Sequence, residues 1–260
     1  MWIVALVALV AAALTLFSGF GLGSLLLPAF ALFFDLDEAI AATAVVHLLN
    51  NLFKTGMLGK HANPRVMLVF ALPGAVAALA GAWVLFKLRD MEPLHAWHLG
   101  QHAFELTPMG LTIGFLILFF AVFELHPRSK QLALPPRYLA LGGAMSGFLG
   151  GVSGHQGALR STFMVRLGLN KEAFLGTSIL CAVIIDIARI SYYATDYAVH
   201  GQQLLDSWHL LVAGTLSAFL GSYLGRRMIE KVTMESIRRL VGVMLLLLGL
   251  AVFTGLVGSH

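Results

Sequence analysis

The amino-acid sequence predicts an all-α polytopic membrane protein with two homologous halves, residues 1–130 and 131–260, related as inverted repeats. Three observations predict this fold: an apolar composition, a series of apolar stretches long enough to span a bilayer, and an internal repeat. Of 260 residues, 58% are hydrophobic and 12% are charged, whereas soluble domains carry about 25% charged residues. Each half is expected to contain a glycine-broken helical hairpin and three spanning helices, all within one integrated membrane domain.

Eight apolar stretches follow one another along the chain: 2–34, 39–57, 66–86, 108–125, 138–168, 173–195, 207–225 and 239–257. Six of them have the length of a single helix across the hydrocarbon core, about 20 residues. The first and the fifth are longer, and glycine-rich segments at 18–23 and 150–154 interrupt them. Each long stretch is therefore either one strongly tilted helix or two short helices that meet at a glycine break. Because no basic region precedes the first apolar residues, we expect a transmembrane element there and no cleaved signal peptide.

An internal repeat relates the two long stretches and the helices that follow them. A shift of 134 positions superposes Gly23 on Gly157, Leu25 on Leu159, Glu38 on Glu172, Ala39 on Ala173 and Thr43 on Thr177. A shift of 140 positions superposes Gly74 on Gly214, Ala78 on Ala218 and Gly81 on Gly221. These identities are sparse, but they keep their order along the chain and therefore predict two homologous halves.

The charged loops predict how the halves are oriented in the membrane. Three loops are basic, near Lys60/Arg65, Arg128/Lys130/Arg137 and Arg226/Arg227/Lys231/Arg238/Arg239, whereas the connections at Asp35/Asp37/Glu38 and Asp196/Asp206 are acidic. If each long stretch is a hairpin, all three basic loops lie on the cytoplasmic side, in agreement with the positive-inside rule. Each half then has five elements, and this odd number inverts the second half and places both termini outside. The net charge of +4 is explained by these loops and requires no nucleic-acid partner.

The second break carries polar residues that a lipid-facing helix would not tolerate. The segment 146–161 contains five glycines together with His155, Gln156 and Arg160. A guanidinium at the bilayer centre costs at least about 2.5–3.5 kcal/mol on insertion scales, so the charge of Arg160 must be compensated. One interpretation is an anion-binding cavity at mid-membrane, in which the glycines expose helix amides to the ligand. The other is a structural ion pair, for example with Asp186.

The neighbours of Arg160 are candidate substrate-binding residues. Ser153, His155, Gln156 and Ser161 could donate hydrogen bonds to an oxyanion, and His155 could also carry a proton. Alternatively, His155 and Gln156 satisfy backbone carbonyls that the break leaves without partners.

The helix predicted over 39–57 carries a polar stripe, because His47, Asn50, Asn51 and Lys54 are spaced i, i+3, i+4 and i+7 and share one face. His47, Asn50 and Asn51 are candidate substrate-binding residues, or they hydrogen-bond to neighbouring helices. Lys54 lies near the predicted cytoplasmic end, where we expect its amine to extend to the membrane interface.

Asp186 and Arg189 are a further charged pair inside an apolar stretch. Their i, i+3 spacing permits an ion pair on one helix face. Such a pair is either structural or a coupling or gating element, with a proton or a sodium ion as the coupling ion. A cation transporter that uses Asp186 is disfavoured by the larger number of basic groups.

Three histidines, His95, His98 and His102, lie in the connection 91–106. At spacings i, i+3 and i+7 they would share a helical face and could bind zinc. The same connection contains aromatic residues, which favours an amphipathic helix at the membrane interface. A membrane-embedded metalloprotein using these histidines is the alternative function. The sequence contains no nucleotide-binding loop, nucleophile motif or haem-binding spacing, so we expect no cofactor and no enzymatic activity.

The two glycine-rich breaks resemble the TauE/SafE family of sulfite exporters, also called TSUP transporters. The matching segments are 17–28 with 41–43, 146–161 with 176–178, and the triplets 81–83 and 221–223. The second break departs from the usual pattern, with His-Gln-Gly at 155–157 and Thr162 where the first half has Pro28, which leaves the substrate open.

The resemblance implies a multi-pass secondary transporter in the plasma (cell inner) membrane. Its substrate would be a small sulfur-containing anion of the sulfite, sulfoacetate or organosulfonate type. We expect this anion to bind at mid-membrane between the two breaks, with alternating access through rocking of the halves. The sequence is compatible with an oligomer.

Overall fold

The computed structural model describes residues 1–16, 21–99, 102–126, 132, 134–200, 206–228 and 234–257. In the first half these residues form the helices α1 (Trp2–Thr15), α2 (Leu22–Phe30), α3 (Leu36–Leu58), α4 (Pro64–Arg89) and α5 (Pro108–Leu125). In the second half they form α6 (Leu139–Ser153), α7 (Gly157–Met164), α8 (Lys171–His200), α9 (Trp208–Met228) and α10 (Met234–Phe253). Residues 18–20 of the first break, and Arg128, Lys130 and Lys231 of the basic loops, lie outside the described residues.

Among the described residues, three helices are long and apolar enough to cross a bilayer: Pro64–Arg89, Pro108–Leu125 and Lys171–Tyr197. Trp2–Thr15 and Arg239–Phe253 are shorter apolar helices. Large apolar side chains cover the outside of this bundle. Soluble proteins rarely expose large contiguous apolar patches, so such a surface suits contact with lipid. The mostly helical structure confirms a helical membrane protein.

Both long apolar stretches consist of two short helices that double back. Gly21 and Gly154 adopt left-handed backbone conformations, with φ of 103° and 80°, at the start of α2 and the end of α6. In the second half, the amide of Leu134, which precedes α6, donates to the carbonyl of Thr162 in α7 (3.2 Å). The chain therefore returns to the side from which α6 began.

The first hairpin doubles back in the same way. A Cβ atom built on Gly214 of α9 would lie 3.3 Å from Val4 and 3.5 Å from Phe30. Val4 belongs to the start of α1 and Phe30 to the end of α2, so these two ends lie at the same level of the bundle. The interpretation of each long stretch as a single tilted helix is wrong.

Close contacts at glycines join the two halves. A Cβ on Gly81 of α4 would overlap the carbonyl oxygen of Phe148 in α6. A Cβ on Gly221 of α9 would likewise overlap the carbonyl oxygen of Leu9 in α1. Small residues are common at helix interfaces in membranes because they let the backbones approach closely. Each hairpin is thus packed against a long helix of the other half.

Helices α3 and α8 run antiparallel between the two hairpins. At one end, the amide of Asn63, just after α3, donates to Thr177 Oγ1 near the start of α8 (2.8 Å). At the other end, Arg89 of α4 donates to both carboxylate oxygens of Asp196 in α8 (2.6 and 3.1 Å) and to Asp37 in α3 (3.4 Å). These contacts tie together α3, α4 and α8 at the end where we expect the outer membrane face.

The prediction of a helix over 91–106 is wrong, because this connection forms an antiparallel β-hairpin, β1 (His95–Leu99) and β2 (His102–Leu106). Trp97 pairs with Phe104 across the strands, and their rings stack at 4.9 Å. Trp97 Nε1 also donates to the carbonyl of Thr254, which attaches the hairpin to the end of α10 (3.0 Å). An aromatic cross-strand pair stabilises a hairpin. The stacking on Phe104 and the bond to Thr254 therefore hold Trp97 in a strand, although the histidines are spaced as in a helix.

This β-hairpin also removes the basis of the proposed zinc site. Side chains alternate between the two faces of a strand, so His95 and His98, three positions apart, project from opposite faces. Within the described ranges, no group of three His, Cys, Asp or Glu side chains is placed to hold a metal ion.

Candidate functional site

A cavity lies between the two glycine breaks. Residues of both breaks form its wall, and one residue of α3, two of α5 and one of α10 complete it: Gly21, Gly23, Ser24, His47, Phe120, Glu124, Gly154, His155, Gln156, Gly157, Ala158 and Leu245. Its empty volume is about 390 Å³ with the open mouth included. Both halves therefore contribute to one polar site.

The N-termini of two short helices open onto this cavity. Helix α2 begins at Leu22 and α7 at Gly157, and neither N-cap residue supplies a side-chain hydrogen bond to its helix. A Cβ on Gly23 would lie 3.7 Å from the carbonyl oxygen of Gly154, so the two breaks are in contact. The first amides of a helix have no intrahelical partner, and the helix dipole favours negative charge there. The cavity wall is therefore suited to an anion.

Asp186 is the centre of the hydrogen bonds beside the cavity. It is fully buried in α8, and its carboxylate accepts from His47 Nδ1 (2.6 Å) and Gln156 Nε2 (2.7 Å). The Arg189 guanidinium donates to it through Nε (2.9 Å) and Nη2 (2.7 Å). Arg189 Nη1 also donates to the carbonyl of Gly150 in α6 (3.0 Å). The ion pair that the i, i+3 spacing permits is present, and it links α3, α8 and the second break.

Arg160 lies behind Gln156, outside the cavity wall. Its side chain is buried, with 2% of the residue exposed. Nε donates to Ser178 Oγ (2.8 Å) and Nη1 to Gln156 Oε1 (3.2 Å). The Gln156 amide thus accepts from Arg160 on one side and donates to Asp186 on the other. The neutral side chain of Gln156 therefore lies between the guanidinium of Arg160 and the carboxylate of Asp186, the ion pair that was the alternative interpretation.

A family model for the sulfite exporter TauE/SafE matches residues 4–252 of the chain. The chain belongs to the TauE/SafE family. It is therefore a membrane transporter of the sulfite or anion exporter type, as the resemblance of the breaks predicted. Comparison with curated proteins and with solved structures gives no match.

In this TauE/SafE protein His155 is held on two sides. Its Nδ1 lies 2.9 Å from the carbonyl oxygen of Ser153, and its ring stacks on Phe120 of α5 at 5.3 Å. Its Nε2 atom is buried without a hydrogen-bond partner in the described part of the chain. The hydroxyls of Ser153 and Ser161 donate to carbonyls of their own helices, at Leu149 and Ala158.

The polar stripe of α3 divides between the cavity and a neighbouring helix. His47 lines the cavity, and the Asn51 amide lies 3.1 Å from its ring nitrogen Nδ1. Asn50 faces α9: with its amide oriented to satisfy its neighbours, Nδ2 donates to Ser222 Oγ (2.9 Å) and Oδ1 accepts from Lys54 Nζ (3.1 Å). Lys54 is only 5% exposed, so the expectation that its amine extends to the interface is wrong. The bond to Asn50 holds the ammonium group inside the bundle.

Glu124 also lines the cavity, although it is absent from the site residues that the sequence predicts. This residue is near the end of α5 and is 4% exposed. The sequence does contain an indication of its role, because Glu124 is the sole charged residue of the apolar stretch 108–125. An ionisable residue within a spanning segment is a candidate for function by default. Its proximity to the breaks could not be inferred without the packing of α5.

Proposed function

We propose that this TauE/SafE protein is a secondary transporter of a small sulfur-containing anion of the sulfite, sulfoacetate or organosulfonate type. The anion crosses the plasma (cell inner) membrane and binds at mid-membrane between the two glycine breaks. One observation carries the proposal: the N-termini of α2 and α7 open onto the same cavity. Each terminus is equivalent to about half a positive charge, so the two together favour a monoanion.

The polar side chains divide into those that contact the anion and those that position them. His47, His155 and Gln156 line the cavity and contact the anion directly. Arg160 acts through Gln156, whose Oε1 it holds, and adds a positive potential that burial leaves weakly screened. Asn50, Asn51, Ser153 and Ser161, also predicted as binding residues, hold the helices around the cavity.

The proposed mechanism is alternating access between two inverted repeats, 1–130 and 131–260. The packing of α4 on α6 and of α9 on α1 supports this, because these are equivalent pairs in the two halves. Rocking of the halves about the breaks would open the cavity to either side in turn. Asp186 and Arg189 are assigned to coupling or gating, with a proton or a sodium ion as the coupling ion.

Sulfite flux into proteoliposomes tests the proposal. Arg160→Gln keeps polar atoms beside Ser178 and removes the charge. A hydrogen bond to a charged group contributes about 1.5–3 kcal/mol, so the variant should transport roughly tenfold to hundredfold more slowly. The matched control, Arg166→Gln, alters an exposed arginine six residues later and should transport like the wild type. Undiminished sulfite flux in Arg160→Gln, with a monodisperse elution profile, would refute the assignment.

A further inference from the structure

The structure assigns a second anion position to the interior of the bundle, beside the ammonium group of Lys54. This inference rests on the proposed function and adds a further position for the same class of ligand, a small oxyanion. Lys54 belongs to the polar stripe of α3, but it is not among the residues that line the cavity between the breaks. It lies beyond the cavity, toward the end of α3.

Lys54 carries a positive charge that its described neighbours do not balance. The residue is 5% exposed, and an ammonium group has three hydrogens to donate. The amide oxygen of Asn50, 3.1 Å from Nζ, accepts one of them. In the part of the chain that the structure describes, no carboxylate forms an ion pair with Lys54. Because a buried ion without an opposite charge is costly, a ligand that brings negative charge is favoured here.

Arg160 lies close enough to Lys54 for the two positive charges to repel each other. Arg160 Nε donates to Ser178 Oγ near the start of α8 (2.8 Å). This end of α8 adjoins the end of α3, because Thr177 Oγ1 accepts from the amide of Asn63 (2.8 Å). Both cations therefore lie on the same side of the cavity, toward the basic loop that follows α3.

Two neighbouring buried cations favour an anion more strongly than one cation does. Their repulsion is large because burial removes most of the screening by water. Asp186 also acts on Arg160, but it is already paired with Arg189 (2.7 Å). Arg160 has a further interaction of its own, so the ligand would use the hydrogens of Lys54 that Asn50 does not accept. The oxygens of an oxyanion accept such charge-assisted hydrogen bonds, and its charge relieves the repulsion.

Gln156 connects this position to the cavity. Its side chain lines the cavity, and its Oε1 accepts from Arg160 Nη1 (3.2 Å). On α3, Lys54 follows His47 by seven residues, which is about 10 Å along the helix axis and on the same face. His47 and Gln156 at the cavity, with Arg160 and Lys54 beyond it, therefore form a polar path toward the basic end of α3.

The test counts the sulfite ions that the full-length protein binds in detergent. Equilibrium dialysis with radiolabelled sulfite, in a chloride-free buffer of constant ionic strength, gives the number bound per chain. We expect two ions in the wild type and one in Lys54→Met, which approximates the length of the side chain and removes its charge. The matched control, Lys60→Met, changes an exposed lysine just after α3 and should bind two ions like the wild type.

Thermal unfolding in the same buffer distinguishes a ligand site from a structural lysine. An anion that binds the folded state raises the melting temperature. This rise should be smaller in Lys54→Met, because the variant loses one of two sites. A lysine that serves only to hold Asn50 would give a variant that is less stable without sulfite and gains as much from sulfite as the wild type does. That result would overturn the inference.

The outcomes separate this inference from the proposed function. One bound ion in the wild type, or equal numbers in the wild type and Lys54→Met, would overturn the inference and leave anion transport standing. No bound sulfite in the wild type would overturn the proposed function as well. If Lys54→Met does not fold, Lys54→Gln, whose amide can still donate to Asn50, is measured in the same way and decides.

Discussion

Removing the charge of Asp186 perturbs a carboxylate that accepts hydrogen bonds from three side chains beside the cavity. In Asp186→Asn the shape is retained, but Arg189 keeps its charge in a fully buried position. Oδ1 accepts from Gln156 and Arg189, whereas Oδ2 accepts from His47. The asparagine oxygen can preserve the Oδ1 contacts, and its amide would face His47 Nδ1, which can change tautomer. The uncompensated guanidinium is therefore the main consequence.

The expected loss of unfolding free energy follows from this burial. Removing one partner of a buried ion pair costs about 3–5 kcal/mol, because the remaining charge is desolvated without compensation. An exposed pair contributes about 0–1 kcal/mol. Glu172, on the same helix, pairs with His61 at 3.4 Å while its side chain is 64% exposed. Glu172→Gln is thus the matched control, and the two variants should differ by at least about 2 kcal/mol.

The assay is equilibrium unfolding of purified protein in mixed micelles, followed by circular dichroism of the helices. A double variant, Asp186→Asn with Arg189→Met, removes both charges. Because no uncompensated buried charge remains, it should recover at least half of the stability that Asp186→Asn loses, although Gly150 loses a hydrogen bond. A loss below about 1 kcal/mol for Asp186→Asn, equal to the control, would show that water solvates the carboxylate. This result would refute the conclusion that the carboxylate of Asp186 and its partners are shielded from water.

Two further predictions concern packing away from the cavity. Gly81→Ala should prevent the close approach of α4 and α6 and sharply reduce the yield of monodisperse protein in size-exclusion chromatography, whereas Gly56→Ala, whose Cβ would meet open space, should not. Arg89→Gln should lower the unfolding free energy by about 1–2 kcal/mol, a modest loss because the guanidinium is partly exposed. Added salt screens exposed ion pairs, so it should reduce the difference in unfolding free energy between the wild type and the variant. An Arg89→Gln protein as stable as the wild type at low salt would show that the bonds of Arg89 to Asp37 and Asp196 do not hold α3, α4 and α8 together at this end.

The sequence predicted those features that depend on local pattern. Glycine-rich interruptions indicated the two breaks, and the i, i+3 spacing indicated the Asp186–Arg189 pair. Contacts between distant segments could not be obtained in this way. His47 and Asp186 are 139 positions apart and meet only because α3 and α8 run side by side. The same limit explains why Arg160 was considered as a partner of Asp186, although Gln156 lies between them.

Two errors in the sequence analysis have a physical cause of the same kind. Helical spacing of the histidines in 91–106 suggested a helix, but a cross-strand aromatic pair and a contact with the end of α10 decide its conformation. Lys54 was expected at the interface, but the Asn50 amide accepts its hydrogen bond inside the bundle. In both positions a tertiary contact outweighs the local preference.

The hydrogen bonds of Asp186 suggest how an anion could influence the relation between the halves. His47 comes from the first half, whereas Gln156 and Arg189 come from the second, and all three donate to one carboxylate. His47 and Gln156 also line the cavity, so an anion that binds there competes with Asp186 for their donors. A ligand shifts a conformational equilibrium only through different contacts in the two states. Competition for these two side chains supplies such a difference, because the two bonds together connect His47 of the first half, through Asp186, to Gln156 of the second break.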